Sequence, residues 1–260
     1  MNILVFVKRV PDTESKVRIN PGAKAVVEEG LNFVLSPYDE YAMEEALRIR
    51  EAKGGKVTAV TVGREESLVI LRKCLAMGAD EAVLIKDPLP ETYEGLRTAR
   101  VIARFVENKN PDYGLLLFGK QSVGADNGQV PSMVAEFLGL PQANVVVKLE
   151  VEEAAGAAYR EIEGAQEKVA FPLPAVISAQ KGLNEPRYET LKGIMMAKKK
   201  GIPTISIEEL GFNPEELAPQ IEITGMDMPP ARQAGRVVSG PPEETAKQLA
   251  GFLHNEAKVI

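Results

Sequence analysis

Cysteine, histidine and tryptophan are almost missing from this chain: its 260 residues include one Cys, one His and no Trp. A single thiol, Cys74, cannot form an internal disulfide. A zinc centre needs about four Cys, His or acidic ligands, and a Ser-His-Asp apparatus needs a well-placed imidazole. His254 stands near the C-terminus, where fraying is expected, and reads as a surface polar residue. Cys74 lies on a predicted helix face in Leu71-Arg72-Lys73-Cys74-Leu75 and reads as a buried, inert thiol. If the protein handles redox or group transfer, a bound organic cofactor must supply the reactive atoms. Positive charge is also scarce, with 31 Lys and Arg against 37 Asp and Glu and a formal net charge of −6. That balance excludes a whole-surface footprint for nucleic acid, so any anion must be held locally. No apolar run approaches the roughly 20 residues of a membrane span. Met1 leads straight into Ile3-Leu4-Val5-Phe6-Val7 without a signal-peptide pattern, so a soluble, cytoplasmic protein with no membrane insertion is expected.

What is present is strand and helix in alternation. Four short, nearly uninterrupted apolar runs, Ile3 to Val7, Val57 to Val62, Ala82 to Ile85 and Leu115 to Phe118, suit strands buried on both faces. Between and after them lie one-sided apolar stripes at helical spacing: Tyr38, Tyr41, Ala42, Ala46, Ile49; then Leu68, Leu71, Leu75; then Leu96, Ala99, Ala103, Val106; then Val130, Met133, Val134, Phe137, Leu138. This alternation predicts right-handed crossovers and a doubly wound, mostly parallel α/β sheet over roughly Met1 to Pro141. Between Val10 and Leu35, the Asn20-Pro21-Gly22 turn signal predicts an inserted hairpin. After Pro141, the stretches Val145 to Val147, Ala157 to Ile162, Val169 to Phe171 and Ala175 to Ala179 read as short antiparallel strands added to the sheet. The expected division is a nucleotide-binding α/β domain over residues 1–210 and an extended C-terminal arm over 211–260, rich in proline and ending in a helix-like Glu243 to Leu253. Lacking a core of its own, such an arm gains most by lying on another subunit.

In an open parallel sheet, ligands bind beyond the carboxyl ends of the strands, near the switch point. The loop after Phe118 reads Gly119-Lys120-Gln121-Ser122-Val123-Gly124-Ala125-Asp126-Asn127-Gly128-Gln129, ahead of the helix predicted from Val130. Two readings of it stand. It resembles an anion cradle, in which small residues let backbone N–H groups approach a phosphate and the helix N-terminus adds its dipole. It also reads as a plain strand-to-helix loop with Asp126 or Asn127 as N-cap. Gln121 where a Walker sequence has Lys-Ser or Lys-Thr leaves magnesium-dependent triphosphate hydrolysis without support. A second unusual stretch, Leu183 to Lys200, interleaves Leu191, Ile194, Met195 and Met196 with Arg187, Lys192, Lys198, Lys199 and Lys200. An apolar anchor inside a basic rim suits docking of an acidic partner; a solvated amphipathic helix is the plainer reading.

These residues resemble the beta subunit of electron transfer flavoproteins over essentially the whole chain. The most specific match runs from Val169 to Lys200, through Leu173-Pro174-Ala175-Val176, Leu183-Asn184-Glu185-Pro186-Arg187-Tyr188, Leu191 and Ala197-Lys198-Lys199-Lys200. Val7-Lys8-Arg9-Val10, Ser36-Pro37-Tyr38-Asp39, Ala76-Met77-Gly78-Ala79-Asp80, Gly119-Lys120-Gln121, and Pro229-Pro230 with Arg232 support it. The resemblance implies an electron carrier without a hydrolytic or transfer site of its own. It implies a heterodimer with an alpha subunit that holds most of one FAD, a structural AMP in this subunit, and transfer from acyl-CoA or related dehydrogenases, as in fatty acid β-oxidation, to a membrane quinone oxidoreductase. Carried over by position, the AMP contacts are Phe6, Ser36, Pro37, Tyr38, Asp39, Val62 and the loop from Gly119 to Val130. Tyr38 and Thr13 match positions near the flavin. Partner recognition falls to Leu191, Ile194, Met195, Lys198, Lys199 and Lys200, with Leu191 as the anchor entering a dehydrogenase pocket, and to Arg160 and Glu161 against the mobile flavin domain.

Electron-bifurcating relatives carry a second FAD in place of AMP, oxidise NADH, and show a stretch resembling Phe-Gly-Gly-Ala-Asp-Thr after the third strand. This chain has Lys86-Asp87-Pro88-Leu89-Pro90-Glu91-Thr92-Tyr93 there and keeps Asn184-Glu185-Pro186, so the AMP-binding, non-bifurcating type is expected. Ser36 where Asn is more usual, and Val123-Gly124-Ala125 in place of a more acidic run, depart from the family pattern. The fold alone also admits an adenine-nucleotide hydrolase or a stress-type ATP-binding protein, and a pure scaffold subunit is a third alternative.

Overall fold

Residues 1–20, 22, 24–88, 94–109, 112–232 and 234–260 are described by a computed structural model. The strands in chain order are β1 (Asn2–Phe6), β2 (Arg9–Pro11), β3 (Ile19–Asn20), β4 (Ala25–Val26), β5 (Phe33–Leu35), β6 (Lys56–Gly63), β7 (Glu81–Lys86), β8 (Leu115–Gly119), β9 (Gln142–Val151), β10 (Ala155–Ile162), β11 (Ala165–Pro172), β12 (Ala175–Ala179) and β13 (Thr204–Ser206). The α-helices are α1 (Pro37–Lys53), α2 (Leu68–Met77), α3 (Gly95–Lys109), α4 (Val130–Leu138), α5 (Leu191–Lys199) and α6 (Pro242–Gly251).

Nine strands form the main sheet in the order β11-β10-β9-β12-β8-β1-β6-β7-β13. All neighbours from β9 to β13 in that order pair in parallel, and β9, β10 and β11 add an antiparallel meander at one edge. The chain steps from β1 to β6 and β7 on one side, then returns to β8 on the other. That reversal places the switch point between β1 and β8, where Phe6 pairs with Phe118. Two cores sandwich the sheet: Ile3, Val5, Leu84, Leu115 and Leu117 pack with α1 and α2 on one face, and Phe6, Val60, Ile85, Leu116 and Phe118 pack with α3 and α4 on the other. Successive strand residues point to opposite faces, so a doubly covered strand must be apolar at every position.

Two parts differ from the sequence reading. Ala175–Ala179 was expected among the antiparallel additions, yet β12 is a central parallel strand between β8 and β9 with all five residues buried. Its apolar run, interrupted by the buried Ser178, is the mark of burial on both faces. The loop before α4 is also capped differently: Gln129, not Asp126 or Asn127, occupies the N-cap position, and its side chain makes no capping bond. The inserted hairpin is present as β3 paired with β4, Ile19 opposite Val26; Pro21 at its turn lies outside the described residues, as do Leu89 to Tyr93 of the stretch that separates the family's two types.

Contacts divide the chain into two units, Met1–Gly225 and Met226–Ile260. Phe212 and Leu217, in the stretch read as the start of the arm, are buried in the second core. Within residues 226–260 none of the described residues is buried. That unit is extended up to α6, and Arg236 bonds Glu256 at 3.0 Å and lies over the Phe252 ring.

Candidate functional site

The carboxyl ends of β1 and β8 open beneath the N-terminus of α1. Ser36 is the N-cap residue of α1 and Pro37 begins it, a favoured place for a residue without an N–H. Asp39, in the first turn and buried, bridges the two strand ends: its carboxylate accepts the Lys8 N–H at 2.7 Å and the Gly119 N–H at 3.1 Å. A side chain at position 119 would run into Asp39 Oδ1 and the Tyr38 carbonyl carbon, so only glycine lets β8 end this close to the helix. From that turn the loop leaves half-buried through Val123 and becomes exposed from Asp126 to Gln129. The Lys120 ammonium lies 4.9 Å from the Tyr38 ring centroid, the Lys8 ammonium donates to Ser122 Oγ at 3.4 Å, and Gln121 donates to Asp126 Oδ1 at 2.9 Å. Gly124 and Gly128 take positive φ, and so does Asp126, at +51°. Phe6 and Phe118 stack at 4.7 Å, and Val62, at the end of β6, packs on the same core.

The electrostatics suit an anion. Burial pushes the Asp39 carboxyl up to about 7, against the two backbone N–H bonds and Lys8, which pull it down. It is therefore only partly ionised at neutral pH, while Lys8 and Lys120 place two cations beside the loop. Ser36 is buried and its hydroxyl has no partner among the described residues, a group that a bound polar ligand would satisfy. Glycines at the turn, two lysines, an uncapped helix N-terminus at Gln129 and an unsatisfied buried hydroxyl together fit a nucleotide. Among the described residues, no group of three or more His, Cys, Asp or Glu is placed to hold a metal ion. Cys74 is buried and burial pushes its thiol far up, so it is inert.

A second surface lies on α5. Thr190 caps this helix, its hydroxyl accepting the Gly193 N–H at 3.0 Å. Gly193 rests so close to the Ala76 carbonyl of α2 that a Cβ would not fit. Ala197 is buried and Ile194 half-buried against the first core. Arg72 donates to the carbonyls of Ala197 and Lys200, closing the helix C-terminus. Leu191, at the helix start, is left 83% exposed, with Met195 and Met196 also exposed. Lys198 and Lys199 are exposed; Lys200 donates instead to the carbonyls of Ala79 and Asp80 at 2.9 Å.

Sequence reasoning therefore named residues that the fold assembles in two places, and named two others apart from both. Thr13 is exposed in the turn after β2, and among the described residues no hydrogen bond ties it to the Asp39 group. Arg160 and Glu161 lie on β10 in the antiparallel meander, where Arg160 pairs with Glu167 at 3.4 Å. Lys8, whose backbone and ammonium both join the first group, was not singled out, and Tyr188, inside the Leu183 to Lys200 stretch read as a docking surface, was not named individually although it is 93% exposed. Tyr188 carried a signal in its own type, a large aromatic between charged Arg187 and Glu189.

The switch-point crevice, the glycine-punctuated loop and the doubly covered parallel sheet define a nucleotide-type α/β chain carrying a separate exposed apolar helix. Residues 24–210 match the electron transfer flavoprotein domain. A protein of Bacillus subtilis (strain 168) named electron transfer flavoprotein subunit beta is 40% identical over 262 residues, covering 100% of both chains. The mitochondrial electron transfer flavoprotein subunit beta of Oryza sativa subsp. indica is 38% identical over 263 residues with the same coverage. The subunit beta of Homo sapiens is 38% identical over 262 residues, covering 100% of this chain and 99% of its own. This chain belongs to the electron transfer flavoprotein beta-subunit family.

Proposed function

We propose that this chain pairs with an alpha subunit holding most of one FAD, and that the heterodimer carries electrons from acyl-CoA-type dehydrogenases to a membrane quinone oxidoreductase. The observation that carries this reading is Leu191: a large aliphatic side chain, 83% exposed, on a helix fixed to the body of the protein by Gly193, Ile194 and Ala197. An exposed apolar group on a rigid mount is suited to entering a partner's pocket at little cost in order. Lys198 and Lys199 beside it speed encounter with an acidic surface. Electron transfer needs a close but brief contact, and a small anchored patch gives one.

The residues around Asp39 fit an AMP that stabilises the subunit without reacting. Lys8 and Lys120 are placed for its phosphate, the Ser36 hydroxyl for a polar atom of the ligand, and N–H groups of the loop from Gln121 to Ala125 and from Asn127 to Val130 for phosphate oxygens; those of Gly119, Lys120 and Asp126 already serve Asp39 and the carbonyls of Ala179 and Ser122. Binding to the folded state alone adds to stability by linkage. FAD, when bound, supplies the redox-active ring; this chain's share is Tyr38 and Thr13 on that side, with Arg160 and Glu161 meeting the flavin domain. That none of the described residues of 226–260 is buried supports the reading that the C-terminal arm, residues 211–260 in the sequence division, packs on the alpha subunit. Leu191→Ala in the purified heterodimer should slow flavin reduction by dehydrogenase about tenfold or more, as loss of a buried anchor costs roughly 2 kcal/mol. FAD content and assembly should be unchanged. Unaltered reduction kinetics would remove the docking role.

A further inference from the structure

The segment between β12 and α5 has no regular secondary structure from Lys181 to Thr190, yet it is held along one stripe of α1. Asn184 donates to the Tyr41 carbonyl at 3.0 Å and to Glu45 Oε2 at 2.9 Å. Arg48 donates to the Glu185 carbonyl at 3.3 Å. Arg187 is the centre of the arrangement: Nε donates to Glu44 Oε2 at 2.7 Å, Nη2 to Glu44 Oε1 at 3.1 Å, its own backbone N–H to Glu44 Oε2 at 3.2 Å, and the far side of the fork reaches Glu51. Positions 41, 44, 45, 48 and 51 recur at helical spacing and so face one way. The Glu44 side chain is 3% exposed; burial pushes its carboxyl up, but the hydrogen bonds from Arg187 and Arg48 outweigh that and hold it below the usual range.

An ion pair with one buried partner, Glu44, and one partly exposed, Arg187, is a poor device for stability alone, since desolvating the carboxylate offsets much of the attraction. Its strength is directional. The residue after Arg187 is the exposed Tyr188, and three residues further stands Leu191. The network therefore fixes the irregular segment that enters the docking helix, while Gly193 and Ala197 fix the helix itself to the body of the protein.

We propose that Arg187, clamped by Glu44 and Glu51, is the positioning residue of the docking surface: it sets the placement of Tyr188 and Leu191 before the dehydrogenase arrives. This deepens the docking reading given above and rests on it. The cost of ordering a loose segment on each encounter then disappears from binding, which bears on affinity and not on the rate within the complex.

The test uses the heterodimer co-expressed with its alpha subunit and a purified medium-chain acyl-CoA dehydrogenase as electron donor. Arg187→Gln removes the fork; Arg187→Lys keeps a cation on Glu44 but loses the planar reach to Glu51. Expected are a rise in KM for dehydrogenase of about tenfold in R187Q and about threefold in R187K, an unchanged kcat, and unchanged FAD content. Combined with Leu191→Ala, R187Q should add less than its separate factor, because it acts through the anchor. If R187Q fails to assemble, R187K decides alone. An unchanged KM in R187K, a fall in kcat or FAD content in R187K, or full multiplicativity with Leu191→Ala overturns the positioning role. If Leu191→Ala itself leaves KM unchanged, it is the docking reading that falls.

Discussion

Asp39 and Gly119 bear most of the geometry at the crevice. The carboxyl of Asp39 holds the ends of β1 and β8 together through two N–H groups, and Gly119 gives it room. Gly119→Ala should lower stability by about 1–3 kcal/mol, the usual cost of forcing a methyl into a packed site, seen as a fall in urea midpoint with little change in slope. Asp39 also carries a pH signature. Its carboxyl titrates near 3.8 when exposed and is pushed up to about 7 by burial, so the folded state holds a proton that the unfolded chain has released. The stability it contributes is whole below about pH 4 and is lost as pH rises toward 7. Urea unfolding at pH 4.5, 6 and 7.5 should show the parent losing stability with rising pH relative to Asp39→Asn. A difference between the two that is flat with pH would show that the carboxyl titrates as it does in the unfolded chain.

At the scale of elements, α5 depends on its cap and α1 on its polar stripe. Thr190→Ala removes the hydroxyl that accepts the Gly193 N–H and should cost about 1 kcal/mol, concentrated in faster hydrogen exchange over residues 191–195. Exchange that rises evenly across the chain would place the loss elsewhere. The strands of the central sheet were legible in the sequence because burial on both faces forces unbroken apolar runs, as at Leu115 to Phe118. Ala175 to Ala179 carries a weaker form of that signal, broken by Ser178 and set among strands that belong to the open meander, which is why it reads as one of them. The glycine loop after Phe118 was legible from composition. What was not legible was the burial of Glu44 and Glu45 on α1, because it is caused by Asn184 and Arg187, far along the chain. Nor does local sequence show that Lys200 is spent on the carbonyls of Ala79 and Asp80 while Lys198 and Lys199 stay exposed. Pairings over such separations leave no periodic trace.

At the scale of the whole molecule, residues 1–225 contain both cores and both surfaces, and none of the described residues of 226–260 is buried. Removing 226–260 should leave the thermal midpoint of the remaining chain within a few degrees of the parent while abolishing co-purification with the alpha subunit; retained co-purification would assign the subunit contact to the first unit. Among the described residues no helix is long and apolar enough to cross a membrane. The proposed division of labour puts a non-reacting nucleotide in this chain and leaves the flavin mainly to its mate. Acid release of bound nucleotide from the purified heterodimer, separated by chromatography, tests it directly. One FAD and one AMP per heterodimer is the expected result; two FAD, or no adenine nucleotide besides FAD, would contradict it.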